Sequence, residues 1–174
     1  MAQSAWSQRV LTGPRLVIGF TGSRLGLTKH QEWAINQILS KLKGSSCERG
    51  LPKPELHHGD CVGSDADMHR LARVHGMKVV LHPADPGKMK TKGLRAWCEG
   101  DECLPPQAPL TRNRTIARLC QVMIACPETS VEAYPSGSWH CLRQAERLGK
   151  PVVLLPRDSK GSPDIEAVLK LIFP

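Results

Sequence analysis

Two short segments of the chain contain the residue types that bind phosphate. Arg112 and Arg114 lie in the first turns of one predicted helix, and Ser136, Gly137 and Ser138 open the next. A guanidinium group presents a planar fork of donors, and the first amides of a helix have no partners within it, so both features hold oxyanions. Cations near a helix N-terminus also oppose the helix dipole, which points to an anionic neighbour. We therefore predict that these five residues bind phosphate.

The first predicted strand-to-helix turn has a composition that suits a ligand. It contains Gly22, Ser23 and Arg24. Glycine allows a ligand to approach the backbone closely, a hydroxyl group donates a hydrogen bond, and arginine pairs with phosphate. An ordinary turn without a ligand has the same composition, so this segment alone does not identify a site.

A second loop contains two carboxylates close to glycines. Gly59 and Asp60 follow the second predicted strand, and Asp65 ends the loop. An acidic residue at a nucleotide site accepts hydrogen bonds from ribose hydroxyls, and either aspartate is placed to do so. Asp65 has an alternative role as the N-cap of the helix that follows. We expect one of the two aspartates to contact the ligand.

Alternating strands and helices have to position these segments. Short apolar runs predict strands at residues 16–20, 78–82, 121–125 and 152–155. Residues 55–58, which end at Gly59, are a candidate for a further short strand, so that five strands are expected. Apolar residues at helical spacing predict helices at residues 28–44, 65–75, 111–119, 137–148 and 164–172. This alternation predicts an α/β fold of three layers, with a parallel sheet of about five strands and helices on both faces. In such sheets ligands bind beyond the carboxyl ends of the strands.

The other segments fit a single domain. Residues 15–174 are predicted to form it, and residues 1–14 to form an N-terminal tail. Residues 83–110 are rich in proline, glycine and charge and have no apolar periodicity. We predict a long loop or insert there, and loops of this length are usually functional or mobile.

The net charge and the cysteine content indicate which kind of partner and which cellular compartment to expect. The formal net charge is +8 and the isoelectric point about 9.3, which favours an anionic partner, although a lysine-rich surface gives the same balance. No stretch of the sequence approaches the roughly 20 apolar residues of a membrane helix, so no membrane partner is expected. The seven cysteines are odd in number and irregularly spaced, which predicts reduced thiols in the cytoplasm.

No residue spacing in the sequence is typical of a metal site. His57, His58 and Cys61 are close in sequence but lack the usual intervals of zinc ligands, and Cys98 and Cys103 have no matching second pair. We therefore expect neither a metal nor another cofactor.

Four motifs, in this order along the chain, resemble the SLOG superfamily, which includes the DNA-processing protein A domain, the Lonely Guy enzymes and YspA-like proteins. The first is the GSR of residues 22–24, and the second is the HGDCVGSD of residues 58–65, where Ser64 replaces an alanine of the YspA-like pattern. The third is the RNRTIA of residues 112–117, and the fourth is the SGS of residues 136–138, followed by Ala145. The resemblance implies a Rossmann-like fold that binds a nucleotide or a nucleotide-derived ligand at the carboxyl edge of its sheet.

The catalytic carboxylate of one branch is missing. Lonely Guy enzymes hydrolyse the base–ribose bond of nucleoside monophosphates with a PGGxGTxxE motif, and the glutamate position of that motif falls on Cys141 here. A thiol does not replace a carboxylate that stabilises an oxocarbenium-like transition state. Glu128 and Glu132, in the neighbouring loop, are the only weak candidates for that role.

Three functions remain open from the sequence. The first is a SLOG-like protein that binds a nucleotide or nucleotide-derived molecule, and the second is a nucleoside 5'-monophosphate N-glycosidase with a non-standard carboxylate. The third is a DNA-binding module resembling DNA-processing protein A. Members of the superfamily commonly form dimers, so the resemblance also implies a homo-oligomer.

Overall fold

A computed structural model describes residues 15–89, 92–159, 161 and 164–172, so the predicted tail of residues 1–14 lies outside the described residues. The described chain forms one sheet of six parallel strands in the order β4-β3-β2-β1-β5-β6. The strands are β1 (Val17–Gly22), β2 (Glu55–His58), β3 (Lys78–Leu81), β4 (Glu102–Cys103), β5 (Val122–Cys126) and β6 (Val152–Leu154). The prediction of about five parallel strands is confirmed, and the strand it lacked is the two-residue edge strand β4.

Five helices connect or follow the strands. They are α1 (Lys29–Glu48), α2 (Ser64–Val74), α3 (Pro109–Leu119), α4 (Gly137–Arg147) and α5 (Ile165–Ile172). α1 begins at a capping box, in which the Thr28 hydroxyl accepts from the Gln31 amide and the Gln31 side chain accepts from the Thr28 amide. None of the helices in the described part of the chain is long and apolar enough to cross a membrane.

The sheet separates two apolar layers. Ile18 and Phe20 of β1 pack in a large cluster with apolar residues of α1, α2 and α5. The opposite face is covered by α3 and α4, which bury Ile116 and Cys141 against Met123 of β5. Because side chains alternate along a strand, one apolar strand supplies both layers. The three-layer α/β fold predicted from the sequence is therefore confirmed.

The described parts of the segment of residues 83–110, namely 83–89 and 92–110, pack against the sheet near its carboxyl edge. The segment contains a short 3-10 turn, Pro86–Lys88, and β4, which pairs with β3. Isolated bridges join Arg95 to Cys61 and Gln107 to Ala84. These contacts place the middle of the segment directly over the turn that follows β2.

Two glycines allow a matched test of the packing at this edge. A Cβ at Gly22 would lie 2.4 Å from the Ser64 Cβ, whereas a Cβ at Gly44, inside α1, would meet nothing within 4 Å. We expect Gly22→Ala to lower the free energy of unfolding by about 1–3 kcal/mol through overpacking. Gly44→Ala should raise it by about 0.5–1 kcal/mol because alanine loses less backbone entropy in a helix. Urea denaturation of both variants measures these changes, and equal effects would contradict the packing described here.

Candidate functional site

The turns after β1 and β2 are in contact. The Ser64 amide donates to the Ser23 carbonyl at 2.9 Å. Gly63 has a φ of +86°, and a Cβ there would lie 2.4 Å from the Arg24 carbonyl oxygen. Two segments that the sequence predicted as separate parts of a pocket, residues 22–24 and 59–65, therefore form one surface.

The start of α4 joins the same surface. The Ser138 hydroxyl donates to the Gly22 carbonyl at 2.8 Å, and the Asn113 side chain donates to the Gly137 carbonyl at 3.1 Å. Ser136 is the N-cap, and its hydroxyl accepts from the Trp139 amide. The first turns of α3 and α4 thus meet the turn after β1. Asn113 was not among the predicted site residues, although it stands between the two arginines of the motif.

Arg112 enters this surface from α3. Only 8% of the residue is exposed, and its guanidinium lies so close to Gly59 that a Cβ there would be 1.5 Å from Nη1. It donates to the His82 carbonyl at 3.3 Å and contacts the Cys61 sulfur at 3.6 Å. Among the described residues no carboxylate lies within 4.0 Å of it, and its Nε has no hydrogen-bond partner.

Asp65 organises the loop after β2. Its Oδ2 accepts from the amides of Gly59 and Cys61, at 3.0 and 3.1 Å. Burial raises the pKa of its carboxyl group to about 6, although the nearby Arg112 charge and the two amides act in the opposite direction. The N-cap of α2 is Gly63, so the alternative role predicted for Asp65, as a helix N-cap, does not apply.

Asp60 is fully buried and has partners in the segment of residues 83–110. Its Oδ2 accepts from Arg95 Nε at 2.6 Å, its Oδ1 accepts from the Cys98 amide at 2.9 Å, and its φ is +54°. Both candidate aspartates therefore have donors within the protein. Arg95 escaped the sequence analysis because its segment has no periodicity that would place it over the sheet.

Two pairs of histidines lie beneath these loops. His82 Nε2 is 2.9 Å from His57 Nδ1, and His58 Nε2 is 3.1 Å from His69 Nδ1. Burial, together with the charges of His57 and Arg112, lowers the pKa of His82 to about 3. Burial also lowers the pKa of His58 well below its usual range. Both rings are therefore neutral at physiological pH.

Two serine hydroxyls at this edge have no acceptor or donor. The hydroxyl oxygens of Ser23 and Ser64 are buried and have no hydrogen-bond partner among the described residues. A buried polar atom without a partner costs about 1–3 kcal/mol. The described residues therefore leave the hydrogen-bonding capacity of these two hydroxyl groups unused.

The other two predicted site arginines, Arg24 and Arg114, are exposed. Arg24 is near enough to Cys61 for its charge, like that of Arg112, to act on the thiol. Arg114 lines a groove of about 450 Å³ between α3 and α4, together with Arg118 and Arg147. Positions two apart on a helix point to nearly opposite sides, which explains the separation of Arg112 from Arg114. Glu128 and Glu132, the candidate catalytic carboxylates, are exposed, and Glu132 pairs with Arg143.

The parallel sheet with helices on both faces and these turns at its carboxyl edge is a Rossmann-like fold, as the motifs led us to expect. DNA processing protein A (DprA) from Streptococcus pneumoniae shares the fold, with a TM-score of 0.54 and 18% identity over 90% of this chain. This chain spans 56% of the length of that one. TM1055, a structural-genomics target, shares the fold with a TM-score of 0.53 and 16% identity, over 89% of this chain and 81% of that one. No protein-family model and no curated protein sequence matches the chain.

The neutral His82 predicts a loss of stability in acid. Because its pKa is about 3 in the folded protein and about 6.5 in an unfolded chain, the unfolded state binds more protons between these values. The stabilisation that comes from keeping His82 neutral is therefore fully present above pH 6.5. As the pH falls below that value, the free energy of unfolding decreases, by about 2 kcal/mol at pH 5. The variant His82→Gln keeps a side-chain hydrogen bond to His57 but does not titrate. Thermal unfolding at pH 7 and pH 5 should show a smaller acid effect for the variant, and an unchanged effect would contradict this assignment.

Proposed function

We propose that this protein binds a nucleotide or a nucleotide-derived anion at the carboxyl edge of its sheet, with Arg112 as the residue that holds the phosphate. The observation that carries the proposal is the buried Arg112 guanidinium, which has no carboxylate within 4.0 Å among the described residues. A buried cation without a directly bonded anion is unfavourable. The Asp65 carboxylate lies near the guanidinium, but its Oδ2 accepts from two backbone amides, so a bound phosphate would be the direct anionic partner that Arg112 lacks.

The neighbouring groups fit the same ligand. The unpartnered hydroxyls of Ser23 and Ser64 support the proposal, because each would gain a hydrogen bond by donating to a phosphate or ribose oxygen. Gly59 has no side chain, and the Arg112 guanidinium occupies the space where one would lie. The Ser138 hydroxyl already donates to the Gly22 carbonyl. The backbone amides in the first turn of α4 are therefore the donors that this helix would offer to a phosphate. Ribose contacts by Asp60 or Asp65 remain a prediction.

Replacement of Arg112 tests the proposal. Arg112→Gln should weaken the binding of a nucleoside monophosphate, measured by isothermal titration calorimetry, by about 1.5–3 kcal/mol, or roughly 10- to 150-fold, because a charged hydrogen bond is lost. Arg118→Gln is the matched control, since Arg118 lies on the same helix but is exposed in the α3–α4 groove. It should leave the affinity unchanged.

A second variant tests the same site and does not depend on whether Arg112→Gln folds. Ser64→Ala removes a hydroxyl that has no partner among the described residues, so it should fold normally by circular dichroism and still lose affinity for the nucleotide. Wild-type affinity in both folded variants, or no binding across a panel of the common nucleoside mono-, di- and triphosphates, would reject the site. Release of free base during these titrations would identify a hydrolase instead of a binding protein.

A second candidate function, binding of single-stranded nucleic acid, is supported by the groove between α3 and α4. Arg114, Arg118 and Arg147 line it with only polar neighbours besides Leu148. Burial lowers the pKa of His140 in α4, and the positive charges of Arg114, Arg143 and Arg147 act in the same direction. One structure with the same fold is named a DNA processing protein. A row of guanidinium groups is the usual contact for a nucleic-acid backbone.

Salt dependence tests this second candidate. We expect a fluorescent oligonucleotide to bind with an affinity that falls steeply with salt, measured by anisotropy. The double variant Arg118→Gln/Arg147→Gln should bind at least about 10-fold more weakly, and the slope of log affinity against log salt should decrease by about 1.4. Arg112→Gln should behave like the wild type, so the two candidate sites are separable. An equal slope in the double variant and the wild type would remove the groove from consideration.

A further inference from the structure

Three metal-ligating side chains converge beside the turn after β2. His58 ends β2, His69 lies in α2, and Cys98 belongs to the segment of residues 83–110. One ligand atom of each lies within 4.8 Å of the other two. None of the three is among the residues proposed to hold the nucleotide, although Asp60 and Asp65, the candidate ribose contacts, lie beside them.

We propose that His58, His69 and Cys98 bind a borderline transition-metal ion, of which Zn²⁺ is the physiological representative. Zinc binds imidazole nitrogen at about 2.0–2.1 Å and thiolate sulfur at about 2.3 Å. In a tetrahedral site these lengths separate the ligand atoms by roughly 3.3–3.7 Å. His58 and His69 are already 3.1 Å apart, so small side-chain movements complete the geometry.

The donor set selects the class of ion. Two imidazoles and a thiolate favour zinc and its substitute cobalt, whereas magnesium and calcium need oxygen ligands. Three protein ligands leave a fourth position for water or another small molecule. A closed structural site would need a fourth protein ligand, so this trio has the form of an open site.

Two carboxylates, those of Asp60 and Asp65, lie close to the proposed metal ligands. Asp60 accepts from the Cys98 amide at 2.9 Å, which holds the thiol segment in place. The Asp65 carboxylate is 3.9 Å from His58 Nδ1. Metal-binding histidines commonly donate their other ring N–H to such a carboxylate, which fixes the ring and increases its basicity.

Metal binding requires a rearrangement of protons. The Asp60 amide donates to His58 Nδ1 at 3.1 Å, which places the ring proton on Nε2, facing His69. For Nε2 to bind a metal, that proton moves to Nδ1, where Asp65 is its acceptor, and the Asp60 amide gives up the ring. The Cys98 thiol releases its proton to solvent. Binding therefore liberates one proton per metal ion and weakens as the pH falls.

The site would also connect distant parts of the chain. His58 and His69 are eleven residues apart, and Cys98 lies in a segment that no spacing rule connects to them. This separation is the reason that the sequence alone led us to expect no metal. The ion would fasten the segment of residues 83–110 to the sheet edge.

Cobalt is the probe for the experiment. Protein without an affinity tag, freed of metal with a chelator, is titrated with Co²⁺ and followed by absorption spectroscopy. We expect one equivalent to produce a thiolate-to-cobalt charge-transfer band and visible bands of tetrahedral intensity, and Zn²⁺ to displace both. Zn²⁺ should also raise the thermal unfolding midpoint, because it binds only the folded state.

Cysteine variants locate the thiolate. Cys98→Ser should abolish the charge-transfer band, whereas Cys103→Ser, an exposed thiol of the same segment, should leave it unchanged. His69→Ala should weaken Co²⁺ binding at least about 100-fold, and because His69 is only half-buried this variant should fold, as checked by circular dichroism. The proposal is overturned if the wild type gives no charge-transfer band, or if the band survives in folded Cys98→Ser.

Discussion

The Arg112 guanidinium lies against the backbone of Gly59, in space that any side chain at that position would occupy. This contact joins the first turn of α3 to the end of β2, across the carboxyl edge of the sheet. It depends on a residue without a Cβ on one side and on a long, flat cation on the other. The positions of the neighbouring loops follow from it, because His82 and Cys61 are the groups that surround the remaining faces of the guanidinium.

Charge is distributed unevenly around this contact. Asp60 is neutralised by Arg95, and Asp65 is held by two backbone amides. Arg112, in contrast, has only a carbonyl group and a sulfur atom as acceptors among the described residues. The two aspartates are therefore bonded to donors of the protein, whereas the Arg112 guanidinium, although Asp65 lies near it, has no carboxylate bonded to it among the described residues.

One short motif serves two surfaces. The residues of α3 alternate between the sheet edge and the outer groove, so Arg112 points inward while Arg114 and Arg118 face the groove shared with α4. Asn113 lies between these surfaces and binds the start of α4. A change in the packing of α3 against α4 would therefore affect both the buried site and the basic groove.

Local patterns in the amino-acid sequence were enough to define most of the elements. Apolar runs located β1, β3, β5 and β6, because buried parallel strands need continuous apolar residues. β2 has Leu56 as its one apolar residue, and the sequence indicated it only as a short segment that ends at Gly59. The edge strand β4 was missed because both of its residues are exposed and carry no such pattern. The motifs identified the turns that meet at the carboxyl edge, since neighbouring parallel strands end on the same side.

The pairing of side chains, in contrast, depended on how the whole chain packs. Folding placed Arg95 on Asp60, separated Arg114 from Arg112, and brought Cys98 to His58 and His69. Helical geometry accounts for the separation of the arginines, which is a local effect. The other contacts join segments far apart in the chain, and local spacing contains no information about how such segments pack together.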